Sequence, residues 1–284
     1  MGNAFAAVAD DVYAAYYNPS GLVHLRRGEL TAYYAKLYAG LTDNSSISRS
    51  YIAYAHPLRK KGTIAVSYLQ LSLAGLYSED TIGISYAHSV GDRWNLGTTA
   101  KYLKKAFGSD DYTQNAINAD TGASLGAPDP VFAQNGTSKS AMAFDLGAQY
   151  RLTRIYALGF TIMNINAPNM ALADGETDKV NSIYKCGLAR RTKTSSVDAE
   201  VSMRKFTTDE FRMNIGGERW LQSGLGFRGG LGFGQRQYQL TTMGMSYRFG
   251  NLEFGYALIY PLTGVSGTFG THQISMTFRL GKRD

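Results

Sequence analysis

The chain has 284 residues, 29 Lys+Arg against 22 Asp+Glu for a formal net charge of +7, 44% hydrophobic residues, 32 Gly, 20 Tyr and one Cys. That apolar and aromatic content excludes a disordered chain; the lone Cys186 excludes a disulfide scaffold, and the scattered His24, His56, His88 and His272 offer no zinc spacing, so neither metal nor cofactor is expected. No window approaches the ~18 uninterrupted apolar residues of a spanning helix, yet few charges with many Gly and Tyr point to a membrane β-barrel, whose alternating strands leave the mean hydropathy at only −0.22.

Residues 1–28 have a grammar of their own. The run from Met1 to Leu22, MGNAFAAVADDVYAAYYNPSGL, predicts alanine-rich helical stretches. Asp10 and Asp11 interrupt them and can cap the second helix, and Asn18-Pro19 stops it, because proline disfavours α geometry in the residue before it. A small segment of this kind suits a plug, giving an expected division into a lumenal plug over 1–28 and an outer-membrane β-barrel over 29–284. The start of the chain lacks the charged-then-apolar pattern of a signal peptide, so an exported form is expected to begin after the cleavage point.

From residue 29 the dominant period is two. Ile82, Ile84 and Tyr86 share one face and Gly83, Ser85 and Ala87 the other; Leu252, Phe254, Tyr256, Leu258 and Tyr260 likewise alternate with Glu253, Gly255, Ala257 and Ile259. The same reading predicts strands near 29–38, 48–57, 62–72, 79–89, 93–105, 140–151, 154–165, 181–191, 195–205, 209–220, 223–233, 237–249, 251–260 and 270–280. Tight connections such as 58–61, 90–92, 152–153 and Gly250 alternate with longer ones, and both chain ends fall on the tight side. The expected fold is therefore all-β: a closed antiparallel transmembrane β-barrel of about 14 strands with a short N-terminal helical segment plugging the lumen and both termini periplasmic. The stretch 106–139 is expected to be a long, irregular outer loop. Its Asp110, Asp111, Asp120 and Asp129 lack calcium-loop spacing and read as a solvated surface.

The two faces differ in kind. Small residues and a few charges of both signs fill one side: Asp145, Gln149 and Arg151; Asp198, Glu200 and Arg204; Arg212, Asn214 and Glu218; Arg228 among glycines; Glu253; Gln273 and Arg279. An Arg or Lys at the bilayer midplane would cost roughly 2–4 kcal/mol, so this side must line the lumen. Met142, Phe144, Leu146, Tyr156, Leu158, Phe160, Ile162, Val197, Val201, Leu225, Phe227, Leu231, Ile274, Met276 and Phe278 are then expected to face lipid, with Trp94, Tyr150, Trp220, Tyr247 and Tyr260 in interfacial girdles. Asp10, Asp11, Asn18 and Pro19 are expected to fix the plug and its exit, with Arg212 or Arg228 as partners for the aspartates. Basic residues crowd the turns: Arg26, Arg27, Arg59, Lys60, Lys61, Arg93, Arg154, Arg190, Arg191, Lys193, Lys282 and Arg283. They lie in separate hairpins with no nucleic-acid-binding fold around them, so phospholipid headgroups are the expected counterions and nucleic acid is not an expected partner.

The opening run resembles that of FadL-like outer-membrane proteins, specifically the PorV/PorQ-like branch, where M-G-G-A-F-x-A-V-A-D-D-x-x-A-x-x-x-N-P-A-G-L precedes the barrel; it departs at Asn3 and Ser20. The likeness continues through Tyr54-Ala-His-Pro-Leu58, Gly62-Thr-Ile-Ala-Val-Ser-Tyr68 and Ser85-Tyr-Ala-His-Ser-Val-Gly-Asp-Arg-Trp-Asn-Leu-Gly97. It covers the first third closely and the remainder in architecture. Met1 matches the motif's own methionine, so a few mature residues are expected before it. The resemblance implies a monomeric fourteen-stranded barrel in the outer membrane of a Gram-negative-type bacterium, with lipid and lipopolysaccharide around it.

Two functions follow from the resemblance. PorV-type members serve type IX secretion by receiving cargo, which implies exported protein or secretion-system subunits as partners. FadL passes long-chain fatty acids through an N-terminal hatch, which implies a hydrophobic small molecule and an apolar patch near Phe5, Val8 and Tyr13. This chain is short for FadL and has no long hatch before Asn18, so secretion is the favoured reading. Barrel assembly usually prefers a terminal aromatic, whereas here the last aromatic, Phe278, lies six residues from the end. No G-x-S-x-G or H-E-x-x-H occurs, Gly230-Leu-Gly-Phe-Gly234 sits in a strand pattern, and Asp198 and Glu200 are expected to pair with lumenal arginines. A non-enzymatic protein is expected.

Overall fold

The computed structural model describes residues 1–41, 45–58, 61–108, 114–118, 120–205 and 209–281. Its wall is built of β1 (Glu29–Leu37), β2 (Ile47–Pro57), β3 (Thr63–Leu73), β4 (Tyr77–Val90) and β5 (Trp94–Phe107), continued after an insertion by β8 (Ser138–Arg151), β9 (Tyr156–Met163), β10 (Ile183–Arg191), β11 (Ser195–Arg204), β12 (Glu210–Trp220), β13 (Leu225–Gly234), β14 (Gln239–Phe249), β15 (Leu252–Pro261) and β16 (Thr271–Arg279). Each strand pairs antiparallel with its sequence neighbours in the wall, and β1 closes on β16, from Glu29 opposite Arg279 to Lys36 opposite His272. Closure gives each wall strand a partner on both sides, so the paired amides need no water. These fourteen strands coincide with the segments expected from period two, within a few residues at each end.

Alternation sorts the side chains as the charge argument requires. Ile84, Met243 and Ile274 turn outward, each at least 60% exposed, amid a belt that includes Phe144, Leu146, Phe160, Val197, Phe227 and Phe254. So continuous an apolar surface is stable only against lipid. Trp94 and Tyr150, cross-strand partners with ring centroids 4.7 Å apart, occupy a strand end, as do the outward Tyr247 and Tyr260. Trp220 differs from expectation. It shares inward parity with Arg212 and Glu218 and lies under the Arg248 guanidinium, 3.4 Å from ring centre to Cζ, so it belongs to the lumen and not to the girdle.

The insertion between β5 and β8 is more ordered than expected. It holds a two-stranded hairpin of β6 (Asn115–Ile117) and β7 (Ser124–Pro128) and a short helix, Pro130–Asn135, whose first turn is capped by the Asp129 carboxylate accepting from Val131 N–H at 2.7 Å. Phe132 of that helix meets Phe107 at the end of β5, ring centroids 5.3 Å apart. Asp110 and Asp111 of this loop lie outside the described residues, as do Arg59, Lys60, Lys282 and Arg283 of the basic turns.

The first 28 residues run inside the wall. Two alanine-rich helices were expected; the structure has turns, one helical turn α1 (Ala14–Tyr17) and a 3-10 helix (Pro19–His24). The chain stops α1 at Asn18, as Pro19 demands, and the Asn18 carboxamide then caps the 3-10 helix by accepting from Ser20 N–H. Ala9, Val12, Ala14, Ala15, Leu22 and Leu25 pack on Tyr51, Ala53, Ala55, Ala65 and Ala87 of the wall. The small wall residues leave the room that the plug occupies.

Candidate functional site: the plugged lumen

The seat of the plug is a band of inward glycines paired across strands. Gly97 of β5 faces Gly147 of β8, Gly159 of β9 faces Gly187 of β10, and Gly216 of β12 faces Gly230 of β13. A side chain at Gly147 would collide with the Asn18 carboxamide, and one at Gly159 with the Ala6 carbonyl. Gly97 abuts Pro19, and Gly216 and Gly230 abut Met1 and Gly2. An arc of wall from β5 to β13 therefore touches plug backbone directly.

Between these pairs β11 supplies two carboxylates. Glu200 accepts the N–H groups of Phe5 at 3.2 Å and Ala6 at 3.0 Å; Asp198 accepts those of Ala7 and Val8, both at 3.1 Å. These amides bond to the wall where a helix would have bonded them internally, which is why the first expected helix is absent. Lys185 pairs with Glu200 at 3.0 Å, so the partners of Asp198 and Glu200 are plug amides and a lysine and not the arginines expected. Charge-assisted hydrogen bonds of this kind contribute about 1.5–3 kcal/mol each.

The remaining anchors lie at the exit. Asn18 donates to the Ala6 carbonyl at 2.7 Å, and the Gln149 carboxamide oxygen accepts from His24 Nε2–H at 2.9 Å while its N–H donates to Ala7 O at 3.2 Å. Asp10 pairs with Arg191 at 3.4 Å, and Arg191 also donates to the Val8 carbonyl at 2.7 Å. The aspartates form no ion pair with Arg212 or Arg228, although the charge of Arg228 reaches both of them. Arg191, grouped by sequence with the headgroup-facing basic residues, turns inward because Val8 and Asp10 offer it an acceptor and a charge. Asp11 accepts from Tyr13 N–H at 2.9 Å, closing the turn before α1. Burial pushes the Asp10 and Asp11 carboxyls above the usual carboxylate range; Arg191 opposes the rise at Asp10, whose side chain still meets the lumenal cavity, and Asp10 adds to it at Asp11.

Near the exit, His24, Arg93, Arg151, Arg154 and Arg191 line a second hollow of about 280 Å³. The surrounding wall, then the charge of Arg191, pushes His24 down to about 4, although its ring opens on this hollow.

The plug leaves about 950 Å³ of lumen unfilled, bounded by plug residues that include Phe5, Val8 and Tyr13 and by wall from β10 round to β2. At the turn end its charges are paired among themselves: Arg228 with Glu218 at 2.5 Å and Glu253 at 3.1 Å, Arg248 and Arg279 with Glu253 at 2.8 Å each, and Arg279 with Glu29 at 3.0 Å. At the loop end Arg212 pairs with Glu210 at 2.6 Å and stacks on Tyr238, 4.0 Å from the ring centre. Asp145 pairs with Lys101 at 2.7 Å against the far wall. Arg204 also lies on the cavity. Gln149 lies on the inner face as expected, whereas Lys185, Lys101 and Arg191 were missed. So were Tyr33 and Tyr51, which stack on Tyr13 with centroids 6.2 and 5.8 Å away; their signal was inward parity beside Thr31 and Ala53. Among the described residues no cluster of three or more His, Cys, Asp or Glu side chains is arranged to hold a metal.

Comparison with known proteins agrees with this architecture. The family model described as type IX secretion system membrane protein PorP/SprF matches residues 13–278. No curated protein matches the chain. Among solved structures it is similar to the CymD monoaromatic hydrocarbon channel, with 13% identity and a TM-score of 0.67 over 99% of this chain and 95% of that one. It is similar to the P. putida toluene transporter TodX, with 10% identity and a TM-score of 0.65 over 96% and 95% of the two chains. A Pseudomonas aeruginosa FadL homologue is similar at 12% identity and a TM-score of 0.63 over 97% and 95%. At these identities the likeness is one of fold: a FadL-like barrel.

Proposed function

The chain belongs to the PorP/SprF family of type IX secretion membrane proteins, and from that membership we propose that it is a non-enzymatic outer-membrane component that handles exported protein in the manner of PorV-type barrels. The observation that supports this reading is the seated plug. Four consecutive plug amides bond to Asp198 and Glu200, and glycine pairs clasp the same segment. A plug anchored in this way narrows the lumen to a cavity of about 950 Å³, so in this reading the protein serves secretion from its rim and outer loops, as a docking platform. Engagement of the carboxylates by backbone amides also speaks against an acid-base pair. In this reading the short turns and the end of β16 face the periplasm, while Met1 lies in the lumen against Gly216 and Gly230.

The experiment is capture from native outer membranes with the full chain and with a variant lacking residues 114–135 of the β5–β8 insertion. Secretion cargo or secretion-system subunits retained by the full chain and lost with the deletion support the reading; capture of neither overturns it.

A second reading, a FadL-like channel for hydrophobic small molecules, is favoured by the cavity beside the plug and by the Phe5, Tyr13, Tyr33 and Tyr51 rings on it. Deleting residues 2–17 should then change uptake of a hydrophobic solute such as oleate; unchanged uptake counts against it.

A further inference from the structure

The outer-loop half of the 950 Å³ cavity carries cationic charge that is left without an ion pair among the described residues. Lys185 is balanced by Glu200 and Arg212 by Glu210. Arg204 sits opposite Glu210 in the β11–β12 register, but that carboxylate is already held by Arg212 at 2.6 Å, and Arg204 has no ion pair among the described residues. Arg49, on the inner face of β2, faces Ala35 on one side and Leu71 on the other. Its Nε is buried without a hydrogen-bond partner, and so is that of Arg204. Glu79, a carboxylate whose field reaches Arg49, is taken by the Tyr77 hydroxyl at 2.8 Å and forms no ion pair with it. A guanidinium withdrawn from bulk water and left unpaired is costly, and the fork geometry of arginine matches a carboxylate.

Aromatic rings surround the same place. Tyr33 and Tyr51 stack with centroids 5.5 Å apart; Tyr16 meets Tyr51 edge-on at 6.3 Å and lies within electrostatic reach of both Arg49 and Arg204. Such rings offer faces and edges to another flat ring. We propose that this half of the cavity binds a small organic carboxylate carrying an aromatic ring, with Arg49 as the carboxylate's anchor, Tyr16 and Tyr33 against the ring, and Arg204 on the opposite wall drawing the anion in. The site stands on the cavity and its charges, and does not depend on the secretion reading.

The test is titration calorimetry of the detergent-solubilised full chain with 4-hydroxybenzoate and, separately, with its neutral analogue 4-hydroxybenzyl alcohol. The acid is expected to bind at least about tenfold more tightly than the alcohol, and Arg49→Gln to remove at least about tenfold of that affinity, since a charge-assisted fork is lost. Arg49→Lys, which keeps the charge and loses the fork, should fall between. Failure of the wild-type chain to bind the acid, or equal binding of acid and alcohol, overturns the proposal without any variant. Undiminished affinity in an Arg49→Gln chain that retains its heat-modifiable gel mobility overturns it as well.

Discussion

Glu200 of β11 and Ala6 of the plug are joined by a 3.0 Å hydrogen bond across 194 residues of sequence. The same carboxylate bonds Phe5, and Asp198, two positions back on the inner face, bonds Ala7 and Val8. Removing both charges weakens four charge-assisted bonds at once. Asp198→Asn with Glu200→Gln should loosen the plug by about 2–5 kcal/mol, since the amides that replace the carboxylates still accept hydrogen bonds but without charge. The expected result is a rise in single-channel conductance in planar bilayers together with an intact heat-modifiable barrel. Conductance equal to wild type would show that these carboxylates do not hold the segment.

The glycine pairs make a steric counterpart. Gly159→Leu places a side chain where the Ala6 carbonyl lies, and the atoms beneath it are backbone, which cannot swing aside. The barrel should still form, because the wall ladder is untouched, but residues 1–17 should become accessible to protease added on the side of the short turns. Retained protection would contradict the close approach.

The Glu253 carboxylate ties Arg228, Arg248 and Arg279 together. Glu253→Gln leaves Arg248 without an ion pair among the described residues and Arg228 and Arg279 with one carboxylate each, and should cost about 2–3 kcal/mol, below the ~3–5 kcal/mol of a fully buried pair because Arg228 and Arg248 still meet the cavity. It should lower the temperature at which the folded band converts to the unfolded one in gel-shift melting. Glu218→Gln, which removes one partner of Arg228 alone, should lower it less.

His24 sets an acid limit. Its ring is pushed down to about 4 by the surrounding wall and Arg191, against an ordinary value of 6.5. A base with a depressed folded value contributes stability that is present above about 6.5 and lost as pH falls toward about 4. The His24 ring resonances should titrate near pH 4 in the detergent-solubilised protein, with the exit anchored by Gln149 loosening over the same range. A midpoint at or above 6.5 would contradict this placement.

The wall was legible in the sequence because one physical rule governs every strand: a lipid-facing side chain must be apolar, and the next one need not be. Ile82, Ile84 and Tyr86 against Gly83, Ser85 and Ala87 state that rule in six residues. Trp220 was misplaced by residue type, since aromatics favour interfaces; its parity with Glu218 and Arg212 already pointed inward. Arg191 was misplaced by position at a strand end, where a charge usually reaches headgroups. The partners of the plug were beyond reading, because which wall residue lies beside Ala6 or Val8 depends on how a non-periodic segment settles against the surrounding wall. The β6–β7 hairpin and the helix after it lie in a Gly-, Ala- and Asn-rich stretch with no sustained period to read.

The central claim is that residues 1–28 plug the lumen, with residues 1–8 seated against β9–β13, and one cross-link tests it. A Cβ built on Gly187 lies 3.4 Å from that of Ala7, near the spacing of a disulfide. In a Cys186→Ser background, Ala7→Cys with Gly187→Cys should oxidise to an intramolecular disulfide in native membranes, visible as a shift between reduced and non-reduced denatured chains. Two free thiols in a folded, heat-modifiable barrel would mean that the segment lies elsewhere.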